Sequence, residues 1–292
     1  MDKKPIFEVL ENDEGQRLDN YLLKHRKHIE KSNWYKLIRK GLVRVNGKRV
    51  KPLYKLSKGD FIRIPPSIYF VATKKVSVDS TLQTDLMQHV IFEDTNYLVI
   101  NKPAGLAVHA GTGHKMGVIE TLTSIVGYEN LQLAHRLDKD TSGCLLLAKN
   151  RKALLNFQSA MKKHQVIKIY LAIVVGVMSE VVVVNQPLDT DNRVKGIRTV
   201  KISKQGKSAK TTFTPLLNNG QYSLVECAIE SGRTHQIRVH AQYLGKPIVG
   251  DALYGDGRCS HGRALFLHAK TLQFDAFVFE APMPHELTAF LG

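Results

Sequence analysis

Leu145-Leu146-Leu147-Ala148 is an unbroken apolar run separated by Cys144 alone from nine mostly polar residues, His135-Arg136-Leu137-Asp138-Lys139-Asp140-Thr141-Ser142-Gly143. The run reads as a buried strand and the residues ahead of it as a turn. A turn at the end of a strand can hold a side chain out of the backbone ladder and into a cleft. Asp138 follows Arg136 by two positions, and a guanidinium near a carboxylate favours the ionised form. Residue chemistry alone serves equally a salt-bridged turn in which Asp140, Thr141 and Ser142 bond to the local backbone.

The remaining pattern predicts two modules. Leu18, Tyr21, Leu22 and His25 recur at helical spacing, which predicts a short amphipathic helix over residues 17–25. Ser32 can cap a second helix with Leu37 and Ile38 inward and Gly41 as its left-handed stop. Val43-Arg44-Val45 and Lys48-Arg49-Val50 flank Asn46-Gly47, a strong hairpin signal, and Phe61 to Ile64 reads as a strand ended by Pro65-Pro66. Residues 67–85 read as a polar linker carrying Lys74-Lys75. Further on, Val90–Phe92 and Tyr97–Ile100 predict a hairpin, residues 152–163 a basic helix, and Ile169–Val175 a strand ending at Gly176. Ser223–Glu230 predicts a strand, His235–Leu244 a helix stopped by Gly245, and Leu265–Phe274 a last strand. Strands and helices mixed in this way point to an α+β fold on a mainly antiparallel or mixed sheet. The expected division is residues 1–82 and 83–292.

Charge narrows the choice of partner. The net charge is +16 over 292 residues, which favours a polyanion because each neutralised phosphate releases condensed counterion. Residues 1–80 hold 19 Lys and Arg against 9 Asp and Glu, whereas the other 212 hold 23 against 17. No acidic residue occurs from Lys31 to Gly59, and Lys31, Lys36, Arg39, Lys40, Arg44, Lys48 and Arg49 crowd the second helix and hairpin. A solvated polar face is the plainer explanation of such a run, and a basic membrane-binding segment would need an apolar helix face that the sequence lacks. No apolar stretch reaches a membrane-spanning length and no signal peptide is evident at Met1–Pro5. Cys144, Cys227 and Cys259 are scattered, which argues against a disulfide framework or zinc site and predicts a reducing cytoplasm.

Several motifs fail. Gly111-Thr112-Gly113 does not complete G-x-G-x-x-G, and no G-x-x-x-x-G-K-[ST] exists. His235 and His240 lack the H-E-x-x-H frame, and Ser142 has no G-x-S-x-G elbow. The expectation is chemistry without a metal or cofactor.

Four segments then carry a resemblance: Asn101-Lys102-Pro103-Ala104-Gly105, the nonapeptide 135–143, Lys168-Ile169-Tyr170-Leu171-Ala172, and Ser231-Gly232-Arg233-Thr234-His235-Gln236-Ile237-Arg238-Val239-His240. In this order they resemble the RluA family of RNA pseudouridine synthases, and residues 17–64 resemble the alpha-L RNA-binding motif of ribosomal protein S4. The resemblance implies that Asp138 is catalytic, that Tyr170 lies against the target base and that Arg238 pairs with Asp138. It further implies that Ile237 lines the pocket, that Arg136 fills the gap left by an extruded uridine, and that Lys102 and His135 belong to the substrate-binding set. The basic N-terminal residues would bind RNA. Gly15-Gln16-Arg17, Arg39-Lys40-Gly41, Val43-Arg44-Val45-Asn46, Arg63-Ile64-Pro65-Pro66, Val108-His109-Ala110-Gly111, Gly117-Val118-Ile119-Glu120 and Tyr254-Gly255-Asp256 add a narrower likeness to members acting on large-subunit ribosomal RNA. The implied partner is that RNA or its precursor particle, with the protein acting as a monomer. The same chemistry on transfer RNA or another ribosomal helix, and a non-catalytic RNA-binding assembly factor, stay open as alternatives. Residues 185–200 match least.

Overall fold

A computed structural model of the chain describes residues 6–26, 29–69, 80–110, 116–194, 197–256 and 264–290. Met1–Pro5, Gly111–Gly113, Lys74-Lys75 and Cys259 lie outside them. The chain divides into two compact units, Met1–Ser77 and Val78–Gly292.

The first unit runs β1 (Ile6–Glu8), a single 3-10 turn, α1 (Leu18–His25), α2 (Lys31–Arg39), β2 (Arg44–Val45), β3 (Phe61–Arg63) and α3 (Pro66–Tyr69). Leu18, Tyr21 and Leu22 of α1 meet Trp34 and Ile38 of α2 over a sheet of order β1-β3-β2. Two local expectations change and a third gains a residue. Glu30, not Ser32, is the N-cap residue of α2, and the Ser32 hydroxyl bonds back to Glu30 at 3.3 Å. Ile38 is buried and Leu37 half-buried against the core, as the spacing predicts, and Trp34 joins them because positions three and four apart share a helix face. His25 is exposed and lies 3.5 Å from the Asp13 carboxylate rather than packing inward. Asn46 and Gly47 both take positive φ, 49° and 77°, as a two-residue turn requires, while Gly41 stops α2 at φ 68°. The longer strand partner of β2 is β3.

The second unit contains α4 (Ser80–Gln88), β4 (Val90–Glu93), β5 (Tyr97–Lys102), α5 (Val118–Leu122), β6 (Gln132–Leu133), β7 (Ser142–Ala148), α6 (Arg151–Lys162) and β8 (Ile167–Val175). It continues through β9 (Val182–Asn185), β10 (Leu188–Val194), β11 (Ile197–Ile202), β12 (Lys210–Asn218), β13 (Tyr222–Ile229), α7 (Gln236–Tyr243), β14 (Leu267–Phe274), β15 (Phe277–Glu280) and α8 (His285–Ala289). Residues 80–85 therefore open a helix rather than close a linker. Leu82 and Leu86, one turn apart, pack on the sheet.

The main sheet has the order β4-β5-β7-β14-β8-β13-β12-β9, with β15 on β14 and β6 on β7. Among the described residues only the β7–β14 pairing is parallel, and β10–β11 forms a separate antiparallel pair. This is the mixed α+β arrangement the sequence predicts. Leu146 and Cys144 of β7 pack against Phe157 of α6 on one face, while Leu145 and Leu147 pack against α4 and α5 on the other. A strand covered on both faces needs an apolar residue at every position, which is why 145–148 shows no alternation.

One register row carries the site. Lys102, Gly143, Ala269, Tyr170 and Cys227 lie opposite one another across β5, β7, β14, β8 and β13. Gly143 has φ 109° and a Cβ there would collide with the Ala269 backbone. A side chain at 143 would thus push β7 off β14 and move the Asp138 turn away from Tyr170.

Candidate active site

Leu137 is buried among Val118, Leu145 and Ala269, which anchors the turn between its two polar neighbours, Arg136 and Asp138. The Thr141 N–H donates to the Asp138 carbonyl at 3.2 Å and closes the turn. Lys102 fixes it from behind. Its ammonium donates to the carbonyls of Pro103, Leu106 and Lys139 at 2.8, 2.9 and 2.9 Å, which ties the loop after β5 to the turn. Burial draws the Lys102 pKa down to about 8, against the opposing charges of Asp140 and Asp138. His135 accepts the Leu146 N–H on Nε2 at 3.1 Å, its ring 5.9 Å from that of Phe157. Burial, aided by Lys168, holds its pKa at about 3, so it is a neutral acceptor. Neither Lys102 nor His135 lines the pocket at Asp138. The polar atoms of both are taken up by backbone groups, so the structure shows them as braces of the turn.

Helix α7 brings the opposing charge. Ile237 and Ala241, four residues apart, bury against Ala172, Val225 and Cys227. Burying an Ile side chain contributes about 1.5–3 kcal/mol and sets the rotation of the helix. Arg238 then donates from Nε and Nη2 to the Asp251 carboxylate at 2.8 and 2.6 Å, while its Nη1 lies 4.0 Å from Asp138 Oδ2. The expected Arg238–Asp138 pairing is present as the longer of two contacts. Burial works against both members of the Arg238–Asp251 pair, yet their bond and mutual charge prevail, raising the Arg238 pKa and lowering that of Asp251. Tyr170 packs where two cores meet. Burial first, and the Asp138 charge second, raises its pKa, so it stays a neutral phenol.

Asp138, Tyr170, Arg238, Ile237 and Arg136 line one pocket of about 60 Å³ together with His235. Arg136, Asp138, His235 and Arg238 also line a wider cleft of about 340 Å³. Asp138 is common to both, with its side chain 21% exposed. A carboxylate reached from open solvent, beside an aromatic face and a fixed guanidinium, can act on the sugar of a nucleotide whose base enters the pocket. Three residues of this arrangement, His235, Asp251 and Tyr254, are not singled out for it by any sequence pattern. His235 reads as a poor zinc ligand and as the unassigned start of a helix inside the fourth segment, Tyr254 only as part of a family likeness, and nothing in the spacing couples Asp251 to Arg238 thirteen positions earlier. Among the described residues no group of three or more His, Cys, Asp or Glu side chains could hold a metal ion.

In the N-terminal unit Lys31, Lys36, Arg39, Lys40, Lys48 and Arg49 are exposed. Arg39, Arg49 and Lys51 border one shallow cleft of about 290 Å³. Arg44 differs from the rest: it is half-buried and donates to the carbonyls of Gly41 and Gly47, each at 3.2 Å, which braces the turn.

Residues 96–243 match the family described as RNA pseudouridylate synthase, and residues 16–62 match the S4 domain. The chain is 42% identical to the ribosomal large subunit pseudouridine synthase C of Vibrio vulnificus, over 99% of this chain and 94% of that protein. It is 41% identical to the protein of the same name from Salmonella typhi, over 97% and 94%. Among solved structures, human RNA pseudouridylate synthase domain containing 4 superposes with a TM-score of 0.60 at 28% identity, covering 71% of this chain and 93% of that one. Sequence, fold and pocket agree: the chain belongs to the RNA pseudouridylate synthase family, with an S4 domain at its N-terminal end.

Proposed function

We propose that this protein isomerises uridine to pseudouridine in large-subunit ribosomal RNA, with Asp138 as the essential reacting group. The observation that carries the reading is the convergence of Asp138, Tyr170 and Arg238, from three separate segments, on one pocket. The substrate follows from the relatives named as ribosomal large subunit pseudouridine synthase C, which this chain matches over nearly its whole length.

The bond from ribose C1′ to uracil N1 breaks, the base turns, and C5 bonds to C1′. The C5 proton leaves and N1, which carried none while bonded to the ribose, takes one up, so the composition of the nucleotide is unchanged and no oxidant, reductant or energy source is consumed. The reacting atoms are hidden in a stacked helix, and the nucleotide must leave the stack at a cost of about a few kcal/mol. Tyr170 offsets part of this, since stacking a base on an aromatic ring contributes about 1–3 kcal/mol. Arg136 occupies the gap left behind, a role its exposed position at the pocket rim supports. Asp138 acts on the ribose as nucleophile or as base. The exposed lysines and arginines of the S4 domain supply phosphate contacts. The acting unit is a monomer. Cys144 and Cys227 are buried free thiols, which supports work in the cytoplasm.

Mapping pseudouridine in ribosomal RNA from cells with and without the gene tests the substrate. Loss of specific large-subunit pseudouridines, restored by the wild-type gene, is expected. An unchanged large-subunit map would refute the assignment.

A further inference from the structure

His235 stands at the mouth of the pocket, yet the reaction as derived leaves it idle. It is the N-cap residue of α7, with φ 53° and ψ 19°, and its side chain makes no capping bond to the helix. A residue other than glycine at positive φ is uncommon, although histidine is among the more tolerant, and such backbone conformations collect at functional sites. Its Nε2 lies 3.8 Å from Asp138 Oδ2, the same oxygen that Arg238 Nη1 approaches at 4.0 Å. Both donors make their closest approach to Oδ2, which breaks the two-fold equivalence of the carboxylate.

The far side of the ring is fixed as well. His235 Nδ1 lies 2.7 Å from the Tyr254 hydroxyl, whose oxygen already accepts the Val200 N–H at 2.8 Å. Arg238 sits over the Tyr254 ring, 5.1 Å from its centroid, and holds the phenol in place. A phenol has one proton to give. Donating it to Nδ1 leaves the imidazole proton on Nε2, the nitrogen that faces Asp138. The charged groups around the ring are Asp138 and Arg136 from the turn, Arg238 from α7, and Asp251 from the segment before Tyr254. Burial is the largest influence and lowers the His235 pKa; Arg238 and Arg136 act in the same direction, and Asp138 and Asp251 oppose them. The ring is therefore a neutral donor. A separation of 3.8 Å is longer than a hydrogen bond, and contacts of this kind tighten when substrate binds.

We propose that His235 is a positioning residue: with its tautomer set by Tyr254, it holds Asp138 Oδ2 jointly with Arg238 so that Oδ1 meets the ribose. This rests on the reading of Asp138 as the reacting carboxylate. The test uses the full-length chain and a large-subunit ribosomal RNA transcript tritiated at uracil C5, following tritium release in single turnovers. His235→Asn suits the left-handed backbone but is too short to reach Asp138. It should turn over about 10–100-fold more slowly, the range typical of losing an orienting partner, with RNA affinity within about threefold. His235→Gln, whose amide can reach Oδ2, should stay within about fivefold of wild type on the same scale. Tyr254→Phe removes the bond that fixes the tautomer and should slow turnover, with the loss shrinking at lower pH, where the imidazolium carries a proton on both nitrogens. Turnover by His235→Asn at the wild-type rate, equal losses in the Asn and Gln variants, or an undiminished rate in Tyr254→Phe would each overturn the proposal. Asp138→Asn is run beside them. If that variant is inactive while His235→Asn is unimpaired, only the role of His235 fails; if Asp138→Asn retains activity, the reading of Asp138 falls and takes this inference with it.

Discussion

Arg238 faces two carboxylates at unequal distances, 2.6 Å to Asp251 and 4.0 Å to Asp138. The tight, fully buried pair with Asp251 holds the guanidinium still, which leaves its remaining face free to act on Asp138 without collapsing onto it. Asp251→Asn removes the charge that compensates a buried cation, a change that typically destabilises by about 3–5 kcal/mol. Urea denaturation measures this, and a loss below about 1 kcal/mol would show that Arg238 is held by something else. His135 gives a second prediction at this scale. Its folded pKa of about 3 lies below the ordinary 6.5. The unfolded chain therefore takes up the proton first, and stability falls as pH drops from 6.5 toward 3. Between pH 6.5 and 4.5 the wild type should lose about 1–3 kcal/mol more than His135→Gln, read from denaturation curves at each pH. Parallel losses would contradict the buried neutral imidazole. Asp138, Tyr170, Arg238 and Ile237 are legible in the sequence because each lies inside a short motif. Lys102 and His135 lie in the same motifs but serve the backbone, a distinction that needs the direction of the side chain as well as its position. Asp251 cannot be read there because its partner is fixed by tertiary packing, with no local spacing to mark it.

Strand β7 is legible as an element from its apolar run, as are β8, β13, β14, α6 and α7 from β-branched stretches, helical spacing and glycine stops. The region from β9 to β12 is not. Its strands alternate, bulge and carry many polar residues, as edge and hairpin strands do, so their pairing is decided by neighbours distant in sequence. The β10–β11 pair still reaches the site, because Val200 of β11 donates to the Tyr254 hydroxyl beside His235. Helix α4 reads as linker because its apolar face is narrow, carried chiefly by Leu82 and Leu86. At this scale the test is Gly143→Ala. The added methyl meets the Ala269 carbonyl and imposes a left-handed backbone on an L-residue. Strain and overpacking together should cost about 2–5 kcal/mol and slow turnover by shifting β7 against β14. A variant of wild-type stability and rate would mean that the two strands need not approach so closely.

Across the whole molecule, chemistry and anion attraction fall in different units, which sequence charge partition and motif placement both make visible. The surplus of positive charge over residues 1–80 lies on an S4 domain in which, among the described lysines and arginines from Lys31 to Gly59, only Lys58 pairs with a carboxylate, that of Glu11. Replacing Lys36, Arg39, Lys40 and Arg49 by Gln should weaken RNA binding and flatten the slope of log affinity against log salt by about 0.7–0.9 for each phosphate no longer neutralised. An unaltered slope would place the RNA on another surface. The proposed chemistry turns on the Asp138 carboxylate, and Asp138→Asn tests it most directly, because it keeps the size of the side chain and removes its charge. With saturating large-subunit ribosomal RNA, pseudouridine formation in single turnovers should vanish while RNA affinity stays within about threefold, since one carboxylate contributes nothing to phosphate neutralisation. Product formed by the variant at the wild-type rate would contradict an essential role for that carboxylate.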